Sequence, residues 1–249
     1  MRHRAAILIW ADLRQPYQMM KVALTCAVIA ASAMIGNYTD LSIMLSEPGK
    51  CYAETVFLYL AQTSFFLPLV MIMAAFLGAV PFCIDRNCRR FASLFLRIPV
   101  RTYLIARAVE CFLLSFLSIF TVSGCFLAIC ALALPGSNLA FALYIIVDYS
   151  IAVSFWCMCG LFSSVFLPNY YVTLTAPFVL SYLVGRLSYS LLPQWYNPNN
   201  YMQSLLFVAT SADRRWLICV CCVLGFTGLS FLVGSGFVIC AEKALQDEI

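Results

Sequence analysis

Histidine and charge are what this sequence has least of. One histidine, His3, stands in 249 residues. That excludes a histidine-based triad and an H-E-x-x-H zinc site from the body of the protein. No Gly-x-x-x-x-Gly-Lys-Ser/Thr phosphate loop is present, so the chain cannot bind ATP by that device. No carboxylates pair at catalytic helical spacing, and no residue is assigned a catalytic or metal-binding role. Charged residues make up only 10% of the chain against 63% hydrophobic, and the mean hydropathy is +0.93. Soluble domains carry about 25% charge, so this composition is that of an integral membrane protein. The net charge of +4 follows from membrane topology and does not point to nucleic acid.

What is present is long apolar runs separated by charge. Residues 55–84 and 111–147 carry no charged side chain. A helix needs roughly 20 apolar residues to cross about 30 Å of hydrocarbon. The spacing predicts an all-α polytopic protein with six transmembrane helices at 22–39, 55–80, 111–134, 139–166, 170–192 and 216–241. The third and fourth are divided at Pro135-Gly136-Ser137-Asn138, and the fourth and fifth at Pro168-Asn169; both are turn signals. The whole of 1–249 then forms one transmembrane domain.

The basic residues orient it. With the N-terminus inside, Arg2, Arg4, Arg14, Lys21, Lys243 and the six arginines from Arg86 to Arg107 are cytoplasmic, whereas Lys50, Arg214 and Arg215 are outside. This inside excess predicts both termini in the cytoplasm. Residues 4–18 read as an interfacial helix, with Ile7, Leu8, Trp10 and Leu13 toward lipid and Arg4, Asp12 and Arg14 toward water. Pro16 ends or bends it; a frayed tail is the alternative. A cleaved signal peptide is disfavoured, because the 21 residues before the apolar run make a long leader.

Thirteen cysteines do not form a disulfide framework under this topology, since most fall inside spans. Without loop-borne partners or histidine they do not make zinc sites either. They read as small apolar packing residues. Ala23, Ala27 and Ala31 recur every four residues in the first span. Such a stripe permits close helix approach, within the subunit or against a partner.

The most informative stretch runs from Asp85 through Arg86, Arg89, Arg90, Phe91, Leu94, Phe95 and Arg97 to Pro99-Val-Arg101-Thr-Tyr103-Leu104 and Arg107. An acid after the second span, a short helix, a Pro-x-Arg step and an aromatic–aliphatic pair leading into span three resemble the first cytosolic loop of ABC-2 type transporter permeases. The sequence departs from that pattern where Cys88 stands in place of a frequent glycine, followed by Arg89 and Arg90. The resemblance extends over nearly the whole chain. It implies an extracellular non-spanning segment, for which 193–213 fits: Asn197-Pro198 precedes Tyr201, and Trp195 and Tyr196 serve an aromatic belt equally well.

The resemblance further implies a permease that pairs with a second permease, as homo- or heterodimer, and docks separate ABC ATPase subunits. ATP and magnesium would lie on those subunits, with no cofactor in this chain. Residues 85–97 would be the coupling helix, with Phe91, Leu94 and Phe95 seated in a groove of the ATPase and Arg86, Arg89 and Arg90 at its rim beside Asp85. The same arginines alternatively serve topology and lipid head groups. The compact form resembles bacterial plasma-membrane permeases that export, or confer immunity to, antimicrobial peptides. A peptide, drug or lipid-like substrate would follow.

Three charges lie within the expected spans, where charge is costly. Glu110 has water or Arg107 within reach. Asp148 and Arg186 fall at similar depths on helices four and five and are expected to pair. Two other readings remain open at this level: a substrate-capture subunit of an uptake system, and a secondary transporter. The second would require intramembrane ion sites and internal repeats.

Overall fold

The computed structural model describes residues 16–36, 42, 56, 66–87, 98–133, 139–191 and 212–246. Seven helices order them: α1 (Pro16–Gly36), α2 (Phe66–Gly78), α3 (Val80–Asn87), α4 (Val100–Ala133), α5 (Leu139–Phe166), α6 (Tyr170–Leu191) and α7 (Ala212–Gln246). The architecture is all-α. Val100–Leu132, Leu143–Phe166 and Val223–Leu245 are long and apolar enough to cross a membrane, and α2 with α3 makes a fourth span if the bent pair is counted as one. Shorter apolar helices cover Met19–Ser32 and Tyr170–Val184. Helices of this length and apolarity are those of a membrane protein.

α5 is the axis of the bundle. It packs against α4, α7, α6, α2 and α3. Of its most apolar window 72% is buried, against 17% for that of α7, which lies at the periphery. The outward faces are apolar: Leu132, Leu224, Phe231, Leu232 and Ile239 are all exposed. The interior, by contrast, accommodates many hydroxyls. Ser118, Ser150 and Ser154 each donate to the carbonyl four residues back, at 2.7 Å. A hydroxyl satisfied by its own helix can sit in a dry bundle without leaving a polar group unpaired.

Two glycines set helix spacing. A Cβ on Gly78 would lie 2.8 Å from Cys111 Sγ and 2.9 Å from the Cys111 carbonyl, so α2 meets α4 backbone to backbone. A Cβ on Gly160 would lie 2.7 Å from Pro177 Cγ, so the proline inside α6 nests against α5. The described cysteines are free thiols, and Cys83, Cys111, Cys130 and Cys157 are buried. Cys157 Sγ donates to the Met71 carbonyl at 3.9 Å, joining α5 to α2. Ala23, Ala27 and Ala31 face outward from α1, while Lys21, Thr25 and Ile29 face inward.

Several boundaries differ from the expectation. α5 covers the expected 139–166, and α6 covers all but the last residue of 170–192. α1, where the first span was expected from residue 22, begins at Pro16, because proline is well suited to the first turn of a helix. α3 runs to Asn87 and α4 starts at Val100, so helix continues through Asp85, Arg101, Arg107 and Glu110, where charge was expected to mark the end of a span. α7 likewise takes in Arg214, Arg215 and Lys243. The interfacial helix as far as residue 15, the coupling stretch 88–97 and the segment 193–211 lie outside the described residues.

Candidate functional site

The two helices flanking the basic loop are α3 before it and α4 after it. α4 begins where Pro99 ends the loop. The Pro99 carbonyl accepts from Thr102 N at 3.0 Å and from Tyr103 N at 3.2 Å, the role of a helix-capping residue. Tyr103 and Arg107 then stand four residues apart on one face, and Glu110 follows one turn later. α3 begins after a bend of 46° from α2. Pro81 accounts for the bend: it has no N–H to give the Leu77 carbonyl, and its ring crowds that carbonyl.

These placements bring four side chains together. Tyr103 Oη donates to Asp85 Oδ2 at 2.7 Å. Arg107 Nη2 donates to the same oxygen at 2.8 Å. Arg107 Nη1 donates to Glu110 Oε2 at 2.5 Å, and Arg107 Nε to Tyr103 Oη at 3.2 Å. The guanidinium carbon lies 5.4 Å from the centroid of the Tyr103 ring. Asp85, Tyr103 and Glu110 are buried, and the Arg107 side chain is only 12% exposed. One cation therefore faces two carboxylates. Buried ions are tolerated when paired and hydrogen-bonded, which is why these charges sit inside helices instead of terminating them.

Arg86 extends the cluster to a third helix. Its Nη1 donates to the carbonyls of Ser164 at 3.2 Å and Val165 at 2.5 Å. These belong to the last turn of α5, where carbonyls have no partner within the helix and the dipole favours a cation. The turn that follows is ordered by Asn169, whose Oδ1 accepts from Tyr171 N at 2.9 Å and caps α6. Arg86 thus ties the mouth of the basic loop to the α5–α6 turn. At the neighbouring end of α1, Lys21 is buried with its ammonium 5.5 Å from the Phe76 ring centroid.

Asp85 and Arg86, expected on a coupling helix over residues 85–97, lie on α3; Asp85 is buried against α4 and Arg86 reaches the carbonyls of α5. Arg89, Arg90, Phe91, Leu94 and Phe95 lie outside the described residues. Of the two alternatives for Glu110, the structure selects Arg107. Asp148 and Arg186 are not joined by an ion pair. Asp148 is fully buried on α5, whereas Arg186 is exposed on α6. Arg186 Nε donates to Tyr182 Oη at 3.0 Å, and its guanidinium lies 5.3 Å from that ring's centroid. The role of Tyr103 as a shared hydrogen-bonding centre was not anticipated. The signal for it was the Tyr103–Arg107–Glu110 spacing, once Pro99 is taken as a helix start.

Among the described residues no group of three or more His, Cys, Asp and Glu is arranged to hold a metal. The cluster offers fixed charge and directional hydrogen bonds between helices. Compared with known proteins, the chain matches no family model, and no curated protein matches it.

Proposed function

We propose that this chain is the membrane-spanning permease subunit of an ABC-2 type transporter, driven by a separate ATPase and working as an exporter. In this reading the chain has six spans with both termini inside, lies in a bacterial plasma membrane and pairs with a second permease. The observation that carries the proposal is the sequence running from Asp85 to Pro99-Val-Arg101-Thr-Tyr103-Leu104, with an arginine-rich, aromatic stretch between two apolar helices. Its two flanks are tied together by Asp85, Tyr103 and Arg107, and Arg86 ties them on to α5. A load applied to the loop therefore has a direct path into three helices. A loop serving only as a topology signal has no need of such a frame.

The test is assembly. Phe91→Ala and Phe95→Ala remove candidate aromatic anchors, the kind of residue that dominates interface energetics. Each variant is expected to insert normally and to retain less co-purifying ATPase and less transport-linked ATP hydrolysis. Arg89→Glu with Arg90→Glu is expected to weaken assembly most at low salt, where exposed charges are least screened. Full partner retention and wild-type activity in both phenylalanine variants would refute the proposal.

A further inference from the structure

We propose that α3 is a hinged segment of the bundle, latched shut at its far end by Arg107. The inference concerns this chain alone and holds whether or not an ATPase docks on the adjoining loop.

The hinge is the break between α2 and α3. The axis turns by 46° there, and Pro81 removes one backbone bond of the ladder that would otherwise stiffen it. The near side of the break is immobilised, since Gly78 leaves no room between α2 and the Cys111 backbone of α4. Displacement is therefore confined to the eight residues of α3.

The far side is held differently. Asp85 is fastened to α4 through Arg107 and Tyr103, and Arg86 to the last carbonyls of α5. These are charge-assisted hydrogen bonds, short-ranged and directional, so they are either made or broken. Between hinge and latch the contact is apolar: Phe82 meets Phe237 of α7 edge-on, with ring centroids 5.1 Å apart. Such a contact holds by buried area and carries no charge, so it does not fix α3 as the hydrogen bonds at its far end do.

Opening also has a definite end state. Asp85 can leave Arg107 only if water takes the place of the guanidinium, because a lone buried ion is far costlier than a paired one, whereas Arg107 keeps Glu110 on its own helix. α3 ends at Asn87, which is exposed, and the basic loop continues from it. Water and force thus reach the latch from the same side. The segment has two arrangements in consequence: closed with Asp85 dry and paired to Arg107, and open with Asp85 wet and Arg107 held by Glu110 alone.

Native cysteines report the two arrangements. Cys83 lies on α3 two residues before Asp85, and Cys111 lies on α4 one residue after Glu110; both are fully buried. Reaction with a maleimide requires thiolate and access, so a dry thiol reacts slowly and a wetted one fast. The experiment treats membranes containing the full-length protein with N-ethylmaleimide and follows each cysteine by peptide mass spectrometry. In Arg107→Gln the labelling rate of Cys83 should rise by about tenfold or more, the change expected when hydrogen bonds to a charged group are removed from a local opening equilibrium. The rate at Cys111 should stay at its wild-type value. Asp85→Asn keeps an acceptor for Tyr103 and removes only the charge. It should raise the Cys83 rate in the same direction by less, and it supplies the reading if Arg107→Gln does not accumulate. An unchanged Cys83 rate in Asp85→Asn, or in Arg107→Gln where that accumulates, overturns the latch. A parallel rise at Cys83 and Cys111 overturns the hinge, because it marks loosening of the whole bundle.

Discussion

Asp85, Glu110 and Arg107 form a set in which two carboxylates share one guanidinium. Removing the cation should therefore do more damage than removing either anion. Arg107→Ala leaves two buried carboxylates facing each other and is expected to cost about 3–5 kcal/mol, the range for breaking one side of a buried pair. Glu110→Gln leaves Arg107 with Asp85 and should cost clearly less. Thermal unfolding in detergent, compared across the two variants, checks the order. Arg186 is the contrasting case. It is exposed, and its guanidinium rests on Tyr182 of its own helix. Arg186→Gln should leave stability nearly unchanged, and its combination with Asp148→Asn should be additive, since independent sites add. A coupling between the two in that cycle would show an interaction that the geometry does not contain.

Helix spacing rather than charge governs at the scale of elements. Gly78 and Gly160 stand where a methyl group meets atoms that cannot turn aside: the backbone of Cys111 in one case, the ring of Pro177 in the other. Gly78→Ala and Gly160→Ala should each destabilise by about 1–3 kcal/mol, the usual cost of overpacking a close-packed interface. Gly225 on α7 has nothing within 4 Å of a built Cβ. Gly225→Ala should be neutral or slightly stabilising, because alanine is the better helix former. Melting temperatures of the three variants, measured side by side, separate close approach from mere helix propensity. Equal effects at Gly78 and Gly225 would show that the α2–α4 contact is looser than the structure has it.

The orientation of the whole molecule is a matter of where its basic residues lie. In the proposed six-span topology eleven Lys and Arg residues would lie in the cytoplasm and three outside, a bias that directs insertion. Cys51 and Cys88 are expected on opposite sides. An impermeant thiol reagent should label Cys51 in intact cells and Cys88 only after the cells are opened. Labelling of Cys88 from outside would reverse the topology and remove the basic loop from the cytoplasm. α4 bears on the same question. Its 34 residues make it about 50 Å long at 1.5 Å per residue, well beyond the hydrocarbon thickness. Its first turns, with exposed Arg101, therefore project toward the side where the loop lies.

The sequence alone determined that the protein is helical and apolar, because lipid admits few other structures and composition reports the solvent directly. It also located the α5–α6 break, since Pro168-Asn169 acts on the adjoining backbone and needs no tertiary partner. Tertiary structure decided the rest of the site. Charge marks the end of a span only when it must reach water. Asp85 and Glu110 share Arg107 across α3 and α4, so those helices run on past the limits expected from charge-free runs. Whether Asp148 meets Arg186 was equally undecidable from depth along the helices. Depth says how far each residue lies from the membrane surface, and the rotation of each helix, set by packing at places such as Gly160 and Pro177, says which way it faces.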